Sequence, residues 1–128
     1  MAQFLSPEWL AEVQEAANRS ERLRRTAASV DLTVRQVVRG GPRGDVTYTV
    51  RLSGGSVGVE PEGEASDLDV TQDYDTAVAI TRGALSPAAA FADGRLKLGG
   101  RVGLLVSYGD AFAGLDDAFA SVRESTAY

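Results

Sequence analysis

Between Val30 and Val59 apolar and polar side chains alternate, and a period of two predicts strands with one dry face. In the first run Val30, Leu32, Val34 and Val38 alternate with Asp31, Thr33, Arg35, Val37 and Arg39, and Gln36 is the single polar residue in the apolar row. The segment from Gly40 through Gly41, Pro42 and Arg43 to Gly44 is a turn, after which Val46, Tyr48, Val50 and Leu52 alternate with Asp45, Thr47, Thr49 and Arg51. Ser53, Gly54 and Gly55 turn the chain again, into a run carrying Val57 and Val59. These runs predict an antiparallel meander. Residues 61–66 form an expected loop, Leu68 and Val70 mark a fourth strand, and Leu96 and Leu98 a fifth. Because every run is apolar on one side only, the sheet should have one covered and one wet face. The expected class is therefore α+β, a five-stranded, mostly antiparallel sheet with helices packed on one face.

The cover comes from segments of helical period. Ser6 offers an N-cap, Pro7 suits a first helical position, and Leu5 is placed to staple onto Leu10. Trp9, Leu10, Val13 and Ala17 then share a face, with Glu12, Gln14 and Glu15 expected in water. Asn18, Arg19 and Ser20 predict a break, and Ser20 caps a short helix through Ala28. Asp73 caps a helix holding Ala77, Val78 and Ile80 that Gly83 ends, and Ser86 and Pro87 start another reaching Phe91. Leu104, Tyr108, Phe112, Leu115, Phe119 and Val122 step by three or four, a stripe that Gly109 and Gly114 divide into two helices.

Composition narrows the chemistry. A chain of 128 residues with 44% apolar content is the size of one domain, residues 1–128, with enough apolar mass for a core. It has no cysteine and no histidine, which removes disulfides, thiolate nucleophiles, Ser-His and Cys-His relays and nearly all zinc sites. The sequence implies no metal and no cofactor. The net charge is −5, with arginines and acids interspersed, which opposes nucleic acid as a partner. The N-terminus lacks a basic start, and no run approaches the roughly 20 apolar residues of a membrane span. The expectation is a soluble cytoplasmic protein without stable membrane insertion, monomeric or homodimeric. Of 13 basic residues only Lys97 is lysine, which reads as the codon bias of a GC-rich genome.

Several constellations have simple structural readings. Arg43, Gly44 and Asp45 spell a receptor-recognised tripeptide but sit where a hairpin turn needs Gly and Asp. Asp67, Asp69, Asp73 and Asp75 lack the ligand spacing of a calcium loop, with Gln72 where its turn glycine belongs. The first two belong to the wet side of a strand and the others to a helix start, where the helix dipole favours a carboxylate. Gly94, Gly99 and Gly100 match no phosphate-binding spacing and read as turn glycines. Tyr48, Tyr74 or Tyr108 paired with a buried aspartic acid could serve a small isomerase or cyclase, yet every Asp falls on a polar position. As for the stripe from Leu104 to Phe119, periodicity does not separate side chains that fill a core from side chains that line a cavity.

A series of short motifs carries a resemblance. In order these are Glu8-Trp9-Leu10, Gly44-Asp45-Val46-Thr47-Tyr48, Asp73-Tyr74-Asp75-Thr76-Ala77, Arg82-Gly83-Ala84-Leu85-Ser86, Ala90-Phe91, and the segment from Gly94 and Arg95 to Gly99 and Gly100. Together they resemble the bacterial sterol carrier protein type-two domain. The resemblance implies a five-stranded sheet with helices on one face, an apolar tunnel between the layers, and binding of sterols, fatty acids, acyl esters or other lipids without transforming them. Many members carry Gly-Asp after the last strand, where this chain has Gly100-Arg101, so that acid's role does not carry over. With the tunnel in view, the expected ligand-binding residues are Phe91, Leu104, Tyr108 and Phe112 facing Val34, Tyr48, Val50 and Leu98, with Trp9 covering one end. Two other readings stay open: the Tyr/Asp isomerase, and a ligand-free domain serving dimerisation or protein contact through its open sheet face.

Overall fold

A computed structural model describes residues 2–61 and 66–128. Four of its helices begin where small polar side chains replace the missing backbone acceptors. Helix α1 (Pro7–Arg19) starts at Ser6, whose Oγ accepts the Trp9 N–H at 3.2 Å, and α2 (Glu21–Ala28) at Ser20, which accepts from Leu23 N at 3.2 Å. Asp73 accepts from Thr76 N at 2.7 Å to open α3 (Tyr74–Thr81), and Ser86 accepts from Ala89 N at 3.1 Å to open α4 (Pro87–Ala92). All four caps are those expected from sequence. The C-terminal stripe divides into α5 (Leu104–Ser107) and α6 (Gly109–Ser121), with Tyr108 out of helical geometry between them.

Main-sheet strands β2 (Asp31–Gly41), β3 (Gly44–Ser53), β4 (Ser56–Pro61), β5 (Leu68–Asp73) and β6 (Leu96–Gly100) lie in the order β4-β3-β2-β5-β6. The meander β2-β3-β4 and the pair β5-β6 are antiparallel, and β5 runs parallel to β2. Register puts Val34 beside Val50 and Leu68, and Val70 beside Leu98, so one continuous apolar face faces the helices. On the other face Arg35 pairs with Asp69 at 3.0 Å, while Asp67 accepts the Thr33 N–H at 3.0 Å. Two of the four clustered acids thus act within the sheet, and Asp73 caps a helix. The tripeptide at 43–45 is a hairpin: Gly44 has φ +93° and Asp45 accepts from Gly40 N at 2.8 Å. Of the loop expected at 61–66, residues 62–65 lie outside the described residues and Pro61 ends β4.

Three features depart from the expectations. Gln14 and Asn18, read as a water-facing residue and a helix breaker, lie within α1 and seal the edge of β4. Gln14 accepts the Val59 N–H at 2.8 Å, and Asn18 bonds both the N–H and the carbonyl of Val57 at 2.9 and 2.8 Å. Gly114 does not break α6. It lets that helix approach α2, since a Cβ there would lie 2.9 Å from Leu23 Cδ1. Finally, β1 (Ala2–Gln3) pairs in parallel with β7 (Thr126–Ala127), joining the two ends of the chain. Leu5 follows in left-handed backbone, φ +68°, with its side chain buried in the main apolar core.

Candidate functional site

The cover of the sheet is uneven. Helices α1 and α2 pack on β3 and β4, α3 on β2 and β5, and α4 on β6, whereas α6 rests chiefly on α1 and α2. Between α6 and the β2-β5-β6 half of the sheet a cleft of about 810 Å³ remains, within the range of roughly 300–1,000 Å³ usual for small-molecule sites.

Its floor is the apolar row of four strands: Val34 from β2, Tyr48 and Val50 from β3, Leu68 and Val70 from β5, and Leu96 and Leu98 from β6. Ile80 of α3, Phe91 of α4 and Phe112, Leu115 and Phe119 of α6 form the walls. Of the nine side chains singled out in the sequence, Val34, Tyr48, Val50, Phe91, Leu98 and Phe112 border the cleft. The other three stand behind it. Trp9 is fully buried because α1 packs toward β4, but it stacks on Phe119 at 5.8 Å and meets Tyr48 and Phe4 edge-on at 5.9 and 4.9 Å, all of which border the cleft. Leu104 is buried among Leu32, Val34, Leu68 and Val70, and Tyr108 packs between that cluster and the main core. A helical stripe is core and cavity wall in alternation, because α6 turns only part of its inner face toward the gap.

Polar groups that sequence reasoning did not place here also border the cleft. Gln36, the intruder in the apolar row, accepts a bond from Gln72 Nε2 at 3.2 Å, and the two amides interrupt the apolar floor. Gln36 carried a signal in its wrong-parity polarity. Asp116 borders the cleft from α6, and loss of solvent, then the neighbouring Asp117 carboxylate, holds its carboxyl above the usual range. Burial pushes the Tyr48 hydroxyl up. Arg123, in the 3-10 turn Arg123–Ser125, donates from Nε to the Thr81 carbonyl at 2.7 Å and lines the cleft.

Among the described residues no helix is long and apolar enough to cross a membrane, and no three metal-ligating side chains gather. The fold has relatives of known structure. The chain is similar to the conserved hypothetical protein TT1886 from Thermus thermophilus, at 25% identity and TM-score 0.78, over 95% of this chain and 91% of that one. It is equally similar to a sterol carrier protein 2, at 25% identity and TM-score 0.78, over 92% and 98% of the two chains. The sterol carrier protein domain 2 of Helicoverpa armigera shares the fold at 24% identity and TM-score 0.67, over 89% and 87%. A comparison with curated proteins gives no match. Residues 8–113 match the SCP-2 sterol transfer family, and with most of its length inside that match the chain belongs to this family.

Proposed function

We propose that the protein binds and carries an apolar small molecule, a lipid, fatty acid, acyl ester or sterol-like compound, in the cleft between sheet and helices, without transforming it. A cytoplasmic location is part of that reading. One observation carries it above the others. Phe91, Val102 and Val106 are large apolar side chains exposed to solvent at 54%, 47% and 89%, and all three border this one cleft. Scattered exposed apolar residues need no explanation, but their convergence on a cavity with an apolar floor marks a surface that gains by being covered. Family membership points the same way.

Native mass spectrometry of the purified protein, followed by titration with a neutral long-chain alcohol while reading Trp9 emission, tests the proposal. Trp9 touches three cleft-wall aromatics, so its emission should change with saturation as the cleft fills. An unligated mass together with no saturable response to any apolar probe would overturn it.

A further inference from the structure

We infer that the cleft selects amphiphiles ending in a carboxylate, and that Arg123 is the residue that selects them; the inference rests on the cleft being the ligand site. The guanidinium is fixed by its Nε bond to the Thr81 carbonyl, at 2.7 Å. Its two terminal nitrogens lie beside Gly83, each 3.0 Å from where a Cβ would stand, and both Arg123 and Gly83 line the cleft. Any side chain at position 83 would crowd that edge. Among the described residues Arg123 has no carboxylate partner and its terminal nitrogens have no acceptor. A half-buried cation with its planar donor edge free, bordering an apolar cavity, suits a planar two-oxygen anion joined to an apolar chain.

The surroundings reinforce the positive edge. Arg82 lies 4.6 Å above the Tyr128 ring, and both Arg123 and Arg82 draw the Tyr128 hydroxyl down against the burial that raises it. The Tyr128 hydroxyl itself is buried without a partner among the described residues. Two acids also line the cleft: Asp117, which lies 3.7 Å from Arg22, and Asp116, whose carboxyl loss of solvent holds above its usual range.

The test compares hexadecanoic acid with hexadecanol, the same chain without the charge, at pH 8 in the wild-type protein and in Arg123→Gln. The acid should bind about tenfold tighter or more in the wild type, and R123Q should lose that preference while still binding the alcohol. Should R123Q not fold, Arg123→Lys and a salt series on the wild type replace it. Acid binding should then weaken with ionic strength while alcohol binding does not. Equal affinity for acid and alcohol, or a preference unchanged in R123Q or by salt, would overturn the inference and leave the carrier reading intact. Failure of both ligands to bind would instead remove the carrier reading itself.

Discussion

Asp73 shows how one side chain carries both a local structure and a pH response. Its carboxylate is held below the ordinary range by the Thr76 hydroxyl and N–H, with Arg95 adding to the effect. Replacing it with Ala should cost about 1 kcal/mol through loss of the cap. A depressed folded-state value means that the contribution is full above the unfolded-state value, near 3.9 for Asp, and is lost as pH falls through the folded one. Denaturant melts of wild type and Asp73→Ala at neutral pH should differ, and the difference should shrink well below pH 4; a constant gap would refute the linkage. Asp73→Ser, which caps without titrating, should retain most of the stability and lose its pH dependence. This cap was legible because an Asp just ahead of an apolar helical run is a local signal. The sealing of β4 by Gln14 and Asn18 was not, since nothing near either residue announces a strand edge 39 to 45 positions away.

Among elements, those with caps or strict alternation could be read directly, and the exceptions share a physical cause. Strands β1 and β7, of two residues each, are too short for any period to register, and their pairing closes the whole length of the chain. The parallel partnership of β2 and β5 depends on a crossover rather than a turn, so adjacency in sequence says nothing of it. Gly114 misled because a glycine inside a helical stripe reads equally as a break or as a close approach. In the structure it is a contact with Leu23, a fully buried residue. Gly→Ala in a helix interior ordinarily stabilises by about 0.5–1 kcal/mol, but Gly114→Ala should destabilise by about 1–3 kcal/mol through overpacking. Making the same change in a Leu23→Ala background should cost far less, a coupling that urea midpoints of the four proteins would measure. Additive effects would show that α2 and α6 do not meet through this pair.

At the scale of the whole molecule the cleft exists because α6 leans on α1 and α2 and leaves the β2-β5-β6 half of the apolar sheet face to the short helices α3 and α4 alone. No pattern in the sequence encodes that lean, because inward-facing residues look alike whether a helix or empty space lies opposite. Phe91 and Phe112 were therefore legible as inward, while Val102 and Val106, outside any clear period, were not foreseen at its border. Those rim residues separate stability from binding. At 89% exposure, Val106 contributes little to the unligated fold, so Val106→Asp should change stability by no more than about 0.5 kcal/mol. If a bound chain covers the rim, the same substitution exchanges a buried methyl contact for a desolvated charge and should weaken hexadecanol binding by about tenfold. Ala113→Asp adds the same charge at an exposed site on α6 away from the cleft and serves as the control. A neutral alcohol is the right probe, since an acid would be repelled by either new carboxylate. Thermal midpoints near wild type for both variants, with affinity lost only in V106D, are the expected result; equal affinities would place the ligand wholly on the sheet floor, leaving the rim outside the site.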